Sequence, residues 1–169
     1  MKRSFISLTP QEALHVAVFI EERNAEVYHH FAEMFVEFRD VQSLEVAGVF
    51  WDMAAEERRH STLLQRRYME RYGNGSCALT EDDLQELIEV PRLDSGNLFD
   101  DYADPAKPNP RERALQVALA AENTARKFYS ELAAVTADPQ LRELYREFAE
   151  FEKDHVEFLE RRIGQGSAK

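Results

Sequence analysis

Hydrophobic residues recur at three- and four-residue steps over four long stretches of the chain, and this spacing predicts α-helices. In the first stretch, Leu14, Val18, Phe31 and Phe35 belong to one apolar stripe. We expect helices over about residues 10–38, 44–72, 110–136 and 139–163. Their starts carry typical caps, Thr9-Pro10 with Glu12, Asn109-Pro110 and Asp138-Pro139, and Gly73 is a typical helix end.

The connection between the second and third helices, residues 73–110, is long and rich in glycine and proline. Within it, TEDDLQELIEV predicts one short helix capped by Thr80. Such a length indicates a crossover that returns along the bundle and leaves helices two and three parallel. No strand-like alternation occurs. We therefore predict one all-α domain over residues 1–169, a four-helix bundle with one long crossover, with Trp51 and the phenylalanines in its core.

Charge and cysteine content narrow the function classes. The net charge is −11, from 32 acidic and 21 basic residues, which disfavours nucleic acid and anionic membrane surfaces and suits a protein that handles cations. Cys77 is the only cysteine, so the sequence predicts no internal disulfide and no cysteine-rich metal site. No apolar run reaches the ~18 residues of a membrane span, and the N-terminus lacks a signal-peptide pattern. We expect a cytoplasmic protein without a membrane span.

An internal repeat relates the two halves of the chain. ALHVAVFIEERNAEVYHHFA, from Ala13, matches ALQVALAAENTARKFYSELA, from Ala114, at 7 of 20 positions, and FWDMAAEERRHSTLLQRRY, from Phe50, matches YREFAEFEKDHVEFLERRI, from Tyr145, at 6 of 19. Two copies related by a pseudo-twofold axis would bring equivalent side chains together in the middle of the bundle. The polar residues that repeat within the apolar stripes are Glu21, Glu57, His60, Glu122, Glu152 and His155, with Tyr28 and Tyr129 two turns beyond the lone glutamates.

Four carboxylates and two imidazoles inside an apolar bundle need a compensating charge, because buried unpaired carboxylates are costly and repel each other. Two divalent cations would supply it. Glu-x-x-His, at i and i+3, directs an oxygen and a nitrogen from one helix at one ion, and each lone glutamate can chelate one ion or bridge both. Mixed carboxylate and imidazole ligands favour iron or manganese over zinc or copper. We expect two iron ions, with manganese or a mixed Fe/Mn pair as the alternative.

The motifs EERNAEVYHHFA, MAAEERRH, AENTARKFY and FAEFEKDH resemble those of the rubrerythrin-like branch of the ferritin-like superfamily. They are also similar to the soluble rubrerythrin-like domain of bacterial membrane ferritins. The resemblance implies a ferritin-like bundle with a non-haem di-iron centre that takes ferrous iron, reacts with O₂ or H₂O₂ and uses an electron donor that the sequence does not identify. It implies that the six repeated residues are iron ligands and that Tyr28 and Tyr129 hydrogen-bond to ligand carboxylates. It also implies a homo-oligomer, at least a dimer, for which residues 80–90 or the rest of the crossover can provide contacts.

Two departures from the rubrerythrin pattern affect the expected activity. Rubrerythrins carry a further carboxylate three residues after a lone helix glutamate, where this chain has Asn24 and Ala125. Rubrerythrins proper also carry a rubredoxin domain whose iron is held by four cysteines, and Cys77 alone cannot provide it. Both departures favour a plain ferroxidase centre over rapid peroxidase turnover.

Several alternatives remain open at this stage. Glu22 can replace Glu21 as the ligand if the helix register differs by one residue. Tyr28 and Tyr129 can be ordinary core aromatics. The whole centre can be a non-catalytic iron-binding module that delivers iron to a partner, or a metal-free set of buried polar residues.

Overall fold

The computed structural model describes residues 4–75, 77–88 and 109–166. These residues form a short 3₁₀ turn (Phe5–Ser7) and five α-helices: α1 (Pro10–Glu37), α2 (Val41–Tyr72), α3 (Glu81–Leu87), α4 (Pro110–Val135) and α5 (Pro139–Gly166). Within those ranges there is no strand. The prediction of an all-α bundle of four long helices is confirmed.

The helix starts follow the predicted capping pattern. The Thr9 hydroxyl accepts a hydrogen bond from the Glu12 backbone N–H, and the Glu12 carboxylate accepts one from the Thr9 backbone N–H at 2.8 Å. Asn109 caps α4, and the Asp138 carboxylate accepts from the backbone N–H of Leu141, in the first turn of α5. These caps satisfy backbone donors that have no partner inside a helix.

Two helix ends differ from the prediction. Helix α2 begins at Val41, three residues earlier than expected, because the Asp40 carboxylate accepts from the Ser43 backbone N–H at 2.9 Å and caps the helix there. Arg39, with φ of 58°, provides the turn before this cap. Helix α5 continues through Gly164, where we expected it to stop, and ends at Gly166.

Contacts between α1 and α4 define the topology. Tyr28 contacts Glu122 and Tyr129 contacts Glu21, so these two helices are antiparallel. Helices α1 and α2 form a tight hairpin and are also antiparallel. Helices α2 and α4 are therefore parallel, as the long connection predicted. Helix α3 lies in that connection with Thr80 as its N-cap, whereas the predicted crossover residues 89–108 lie outside the described residues.

The apolar core consists of two clusters with a polar layer between them. One cluster contains the fully buried Leu64 and Phe148, and the other contains Phe50 and Leu159. The prediction that Trp51 lies in the core is wrong, because Trp51 is 46% exposed. Its neighbour Phe50 occupies the inward position, and one residue further along a helix the side chain points about 100° away.

No helix among the described residues combines the length and the apolar character that a membrane span requires.

Candidate metal centre

The six repeated residues come together in the polar layer between the two apolar clusters. The four glutamates are fully buried, and the side chains of His60 and His155 are 16% and 12% exposed. Helices α1 and α4 contribute one glutamate each, while α2 and α5 contribute a Glu-x-x-His pair each. The i, i+3 spacing places both members of each pair on one face of their helix.

The ligand atoms form two overlapping groups of four, with all atoms of a group within 4.8 Å of one another. The first group is Glu21, Glu57, His60 and Glu152, and the second is Glu57, Glu122, Glu152 and His155. The glutamates of the two Glu-x-x-His pairs, Glu57 and Glu152, belong to both groups. Each lone glutamate, Glu21 or Glu122, belongs to one group only.

Both histidines direct their Nδ1 atoms at the carboxylates. The Nδ1 of His60 lies 3.2 Å from Glu21 Oε2 and 3.8 Å from Glu57 Oε2. The Nδ1 of His155 lies 3.1 Å from Glu57 Oε1 and 3.5 Å from Glu122 Oε2. The inward nitrogen is therefore the same atom in both halves of the repeat.

Two buried tyrosines hold the lone glutamates. The Tyr28 hydroxyl donates to Glu122 Oε1 at 2.5 Å, and the Tyr129 hydroxyl donates to Glu21 Oε1. Burial, and next the charge of the accepting glutamate, raises the pKa of both tyrosines well above the usual value, so each stays a neutral donor. Each bond occupies one carboxylate oxygen and leaves the other for the centre. The sequence predicted these bonds from the resemblance, but it did not predict that each would cross between α1 and α4.

The two halves of the centre differ around their histidines. The Nε2 of His155 lies 3.0 Å from Glu56 Oε2. The residue equivalent to Glu56 in the second half is Phe151, and its ring stacks on His60 with centroids 5.0 Å apart and an interplanar angle of 13°. Sequence reasoning missed both residues, although the repeat alignment already showed a carboxylate opposite a phenyl ring at this position.

Protons on the side chains of the centre can compensate its charge when no cation is bound. Burial, and next the charge of a neighbouring glutamate, raises the pKa of Glu21 and of Glu152 well above the usual value. Burial alone would raise the pKa of Glu57, but the nearby imidazoles outweigh it and lower that pKa to about 2. Burial would lower the pKa values of His60 and His155, but the adjacent carboxylates raise them to about 9 and about 11.

Even so, several buried ligand atoms have no aligned hydrogen bond within the described part of the chain. They are both carboxylate oxygens of Glu57 and of Glu152, Oε2 of Glu122 and Nδ1 of His155. Buried acceptors without partners are costly. Carboxylate oxygens and imidazole nitrogens converging at these distances fit one or two divalent cations, which would satisfy these atoms together.

The structure also shows where three residues named beside the predicted ligands lie: Glu22, Asn24 and Ala125. Glu22 is exposed and its carboxylate accepts from the Gln65 amide at 2.5 Å, so of the two adjacent glutamates it is Glu21 that lies in the centre.

Asn24, at the first position where rubrerythrins have a further carboxylate, is only 4% exposed, and its amide nitrogen has no hydrogen-bond partner among the described residues. Ala125, at the second position, is fully buried.

The fold and the cluster together define the class: an all-α, ferritin-like bundle with a carboxylate and histidine cluster that can hold metal. Residues 113–169 match the family model described as rubrerythrin. The resemblance seen in the motifs is thus confirmed for this part of the chain, which includes Glu122, Tyr129, Glu152 and His155.

A solved structure supports the fold over nearly the whole chain. The crystal structure of an uncharacterized conserved protein from Magnetospirillum magnetotacticum MS-1 is similar to this chain, with a TM-score of 0.71 and 24% sequence identity, covering 94% of this chain and 95% of that one. No curated protein matches the sequence significantly.

Proposed function

We propose that this chain binds two iron ions in the six-residue centre and acts as an oxidoreductase towards O₂ or H₂O₂, of the ferroxidase or peroxidase type. The observation that carries the proposal is the pair of overlapping four-ligand groups that share Glu57 and Glu152. Two groups with two common carboxylates are the arrangement expected of two neighbouring metal positions, rather than of one ion or of a hydrogen-bond network.

Each ligand has a distinct place in this proposal. Glu21 and His60 would hold one ion, Glu122 and His155 the other, and the shared glutamates would contact both. Four carboxylates balance the charge of two divalent cations when both histidines are neutral. The mixture of oxygen and nitrogen donors supports iron, with manganese or a mixed Fe/Mn pair as the nearest alternative.

Two iron ions bound there would supply the electrons that reduce O₂ or H₂O₂. The protein residues supply position and exclusion of water. Tyr28 and Tyr129 fix the lone glutamates through their hydroxyl groups. Phe148 and Phe151 cover His60, with ring centroids 5.3 Å and 5.0 Å from the imidazole. This apolar cover keeps the local dielectric constant low and strengthens the interactions of the carboxylates with the cations.

A second candidate function is a non-catalytic module that binds iron and passes it to a partner. Asn24 and Ala125 lack the acidic group that rubrerythrins place at these two positions, which argues against rapid peroxidase turnover and so fits this module as well as a plain ferroxidase centre. A module of this kind would bind iron stoichiometrically and would not turn over peroxide.

Anaerobic titration with ferrous iron, followed by exposure to air, tests the first proposal. We expect two ions per chain and the growth of near-ultraviolet absorbance from ferric iron. Glu57→Ala and His60→Ala should abolish both signals. Glu21→Ala and Glu22→Ala form a matched pair of adjacent substitutions, of which only the first should impair binding. Wild-type absorbance growth in Glu57→Ala would refute the assignment of the centre.

A steady-state peroxide assay with an artificial reductant separates the two candidates. Multiple turnovers per chain, of peroxide or of O₂ with excess ferrous iron, support the oxidoreductase. Binding of two ions with at most one turnover supports the delivery module.

A further inference from the structure

Helix α1 buries an asparagine, Asn24, on the stripe that carries its metal-centre residues. Asn24 is only 4% exposed, and its Nδ2 amide group has no acceptor within the described part of the chain. None of the four buried glutamates therefore takes a hydrogen bond from it. A buried donor without an acceptor is costly and rare in folded proteins. It is explained if the acceptor is a molecule that binds beside it.

The two tyrosine–glutamate bonds define the level of Asn24 in the bundle. Asn24 follows Glu21 by three residues and precedes Tyr28 by four, and these steps keep the three side chains on one face of α1. Glu21 accepts a hydrogen bond from Tyr129, and Tyr28 donates one to Glu122. Asn24 thus lies midway between the two bonds, beside both halves of the centre rather than beside one of them.

Ala125 occupies the matching place on α4, three residues after Glu122 and four before Tyr129. Because α1 and α4 are antiparallel, Asn24 and Ala125 lie at the same level, close to the pseudo-twofold axis that relates the two halves. Ala125 is fully buried and has no side-chain atom beyond Cβ. The two halves of the repeat therefore provide one hydrogen-bond donor at this level, and an alanine opposite it leaves room for a small molecule.

Charge balance indicates what kind of molecule could accept a hydrogen bond there. The four carboxylates of the centre neutralise two divalent cations when both histidines are neutral. Two ferric ions carry two further positive charges, which these ligands do not balance. Small anions such as hydroxide, peroxide or azide can balance them, and an anionic acceptor strengthens the hydrogen bond that an amide donates to it.

We propose that the Asn24 amide donates a hydrogen bond to a small anion that binds between the two metal positions, on the α1–α4 side of the centre. This inference rests on the proposed function, because it requires both metal positions to be filled. Asn24 contacts the anion and not the metal ions, so it affects anion binding without contributing to iron binding. A neutral donor at this position attracts an anion, whereas the carboxylate that rubrerythrins can place here would repel it.

Azide titration of the iron-loaded, air-oxidised protein tests this inference, with the azide-to-iron absorbance band as the signal. Asn24→Ala should weaken azide binding about 10-fold or more, while the iron content stays at two ions per chain. The matched control moves the amide across the pseudo-twofold axis. Asn24→Ala combined with Ala125→Asn keeps the same set of side chains and should restore the azide affinity to within about threefold of the wild type.

Unfolding in urea and EDTA provides a measurement that needs no metal. Asn24→Leu is similar in volume and removes the unpaired donor, so the free energy of unfolding should be unchanged or higher. A lower free energy of unfolding would overturn the proposal, because the amide would then have its partner within the protein.

The outcomes distinguish this inference from the proposed function. A wild-type protein that does not bind two iron ions refutes the proposed function, and the inference with it. Wild-type azide affinity in Asn24→Ala, in a protein that holds two iron ions, overturns the inference alone, and so does a double variant that regains no affinity. Loss of iron from Asn24→Ala would also overturn it, because the amide would then be a metal ligand.

Discussion

Raising the pH should destabilise the metal-free protein, and His60 allows the size of the effect to be worked out. The pKa of His60 is raised from 6.5 to about 9 by Glu21 and Glu57, in spite of the burial that opposes this shift. At about 1.4 kcal/mol per pKa unit, protonation of His60 adds about 3 kcal/mol to the free energy of unfolding. Its side chain is only 16% exposed, so solvent screens the interaction little.

The sign of the pH dependence follows from the direction of each shift. A raised histidine pKa adds stability that is complete below pH 6.5 and is lost as the pH rises through about 9. The raised carboxyl pKa values of Glu21 and Glu152 act in the same direction, because their protonated forms are favoured in the folded state. The contribution of Glu57, whose pKa is lowered to about 2, is lost only in acid. Stability should therefore fall between pH 6.5 and pH 9.5.

Urea unfolding followed by far-ultraviolet circular dichroism, in EDTA at pH 6.5, 7.5, 8.5 and 9.5, measures this loss. His60→Gln should reduce the slope. Bound divalent metal should flatten the curve, because cations then replace the protons. Constant stability of the metal-free wild type over this range, or a wild-type slope in His60→Gln, would refute the electrostatic reasoning.

Three further predictions concern single side chains. Glu56→Gln should weaken one of two sequential Mn²⁺-binding events about 10- to 100-fold in calorimetry, because the Glu56 carboxylate lies 3.0 Å from Nε2 of the proposed ligand His155 and would orient its imidazole. Equal weakening of both events would contradict the asymmetry. Tyr129→Phe should lower the free energy of unfolding of the metal-free protein by about 1–3 kcal/mol in urea, because it leaves Glu21 Oε1 buried without its hydrogen-bond donor. An unchanged free energy of unfolding would count against this hydrogen bond. Leu159→Ala, at a fully buried core position, should lower the free energy of unfolding by about 2–5 kcal/mol in the same assay. A decrease below about 1 kcal/mol would mean that neighbouring side chains move in to fill the cavity.

The helices could be predicted from the sequence because their signals are local. Apolar spacing and caps such as Thr9 with Glu12 depend only on residues a few positions apart. The helices that they predict are therefore the helices that the folded chain contains. The predictions of the start of α2 and of the burial of Trp51 were wrong because a second local signal outweighed the one used. At Asp40, the cap started α2 earlier than the apolar pattern indicated. At Trp51, hydrophobicity suggested burial, but the neighbouring Phe50 had taken the inward position.

The sequence by itself determined which residues could form the centre, because the i, i+3 spacing and the repeat place six polar side chains on apolar helix faces. Only the tertiary structure decided how they combine: Glu57 and Glu152 are shared between the two groups, and Glu56 reaches His155 from another helix. The physical reason is that positions within a helix follow from its 3.6-residue period, whereas distances between helices depend on how every side chain of the bundle packs.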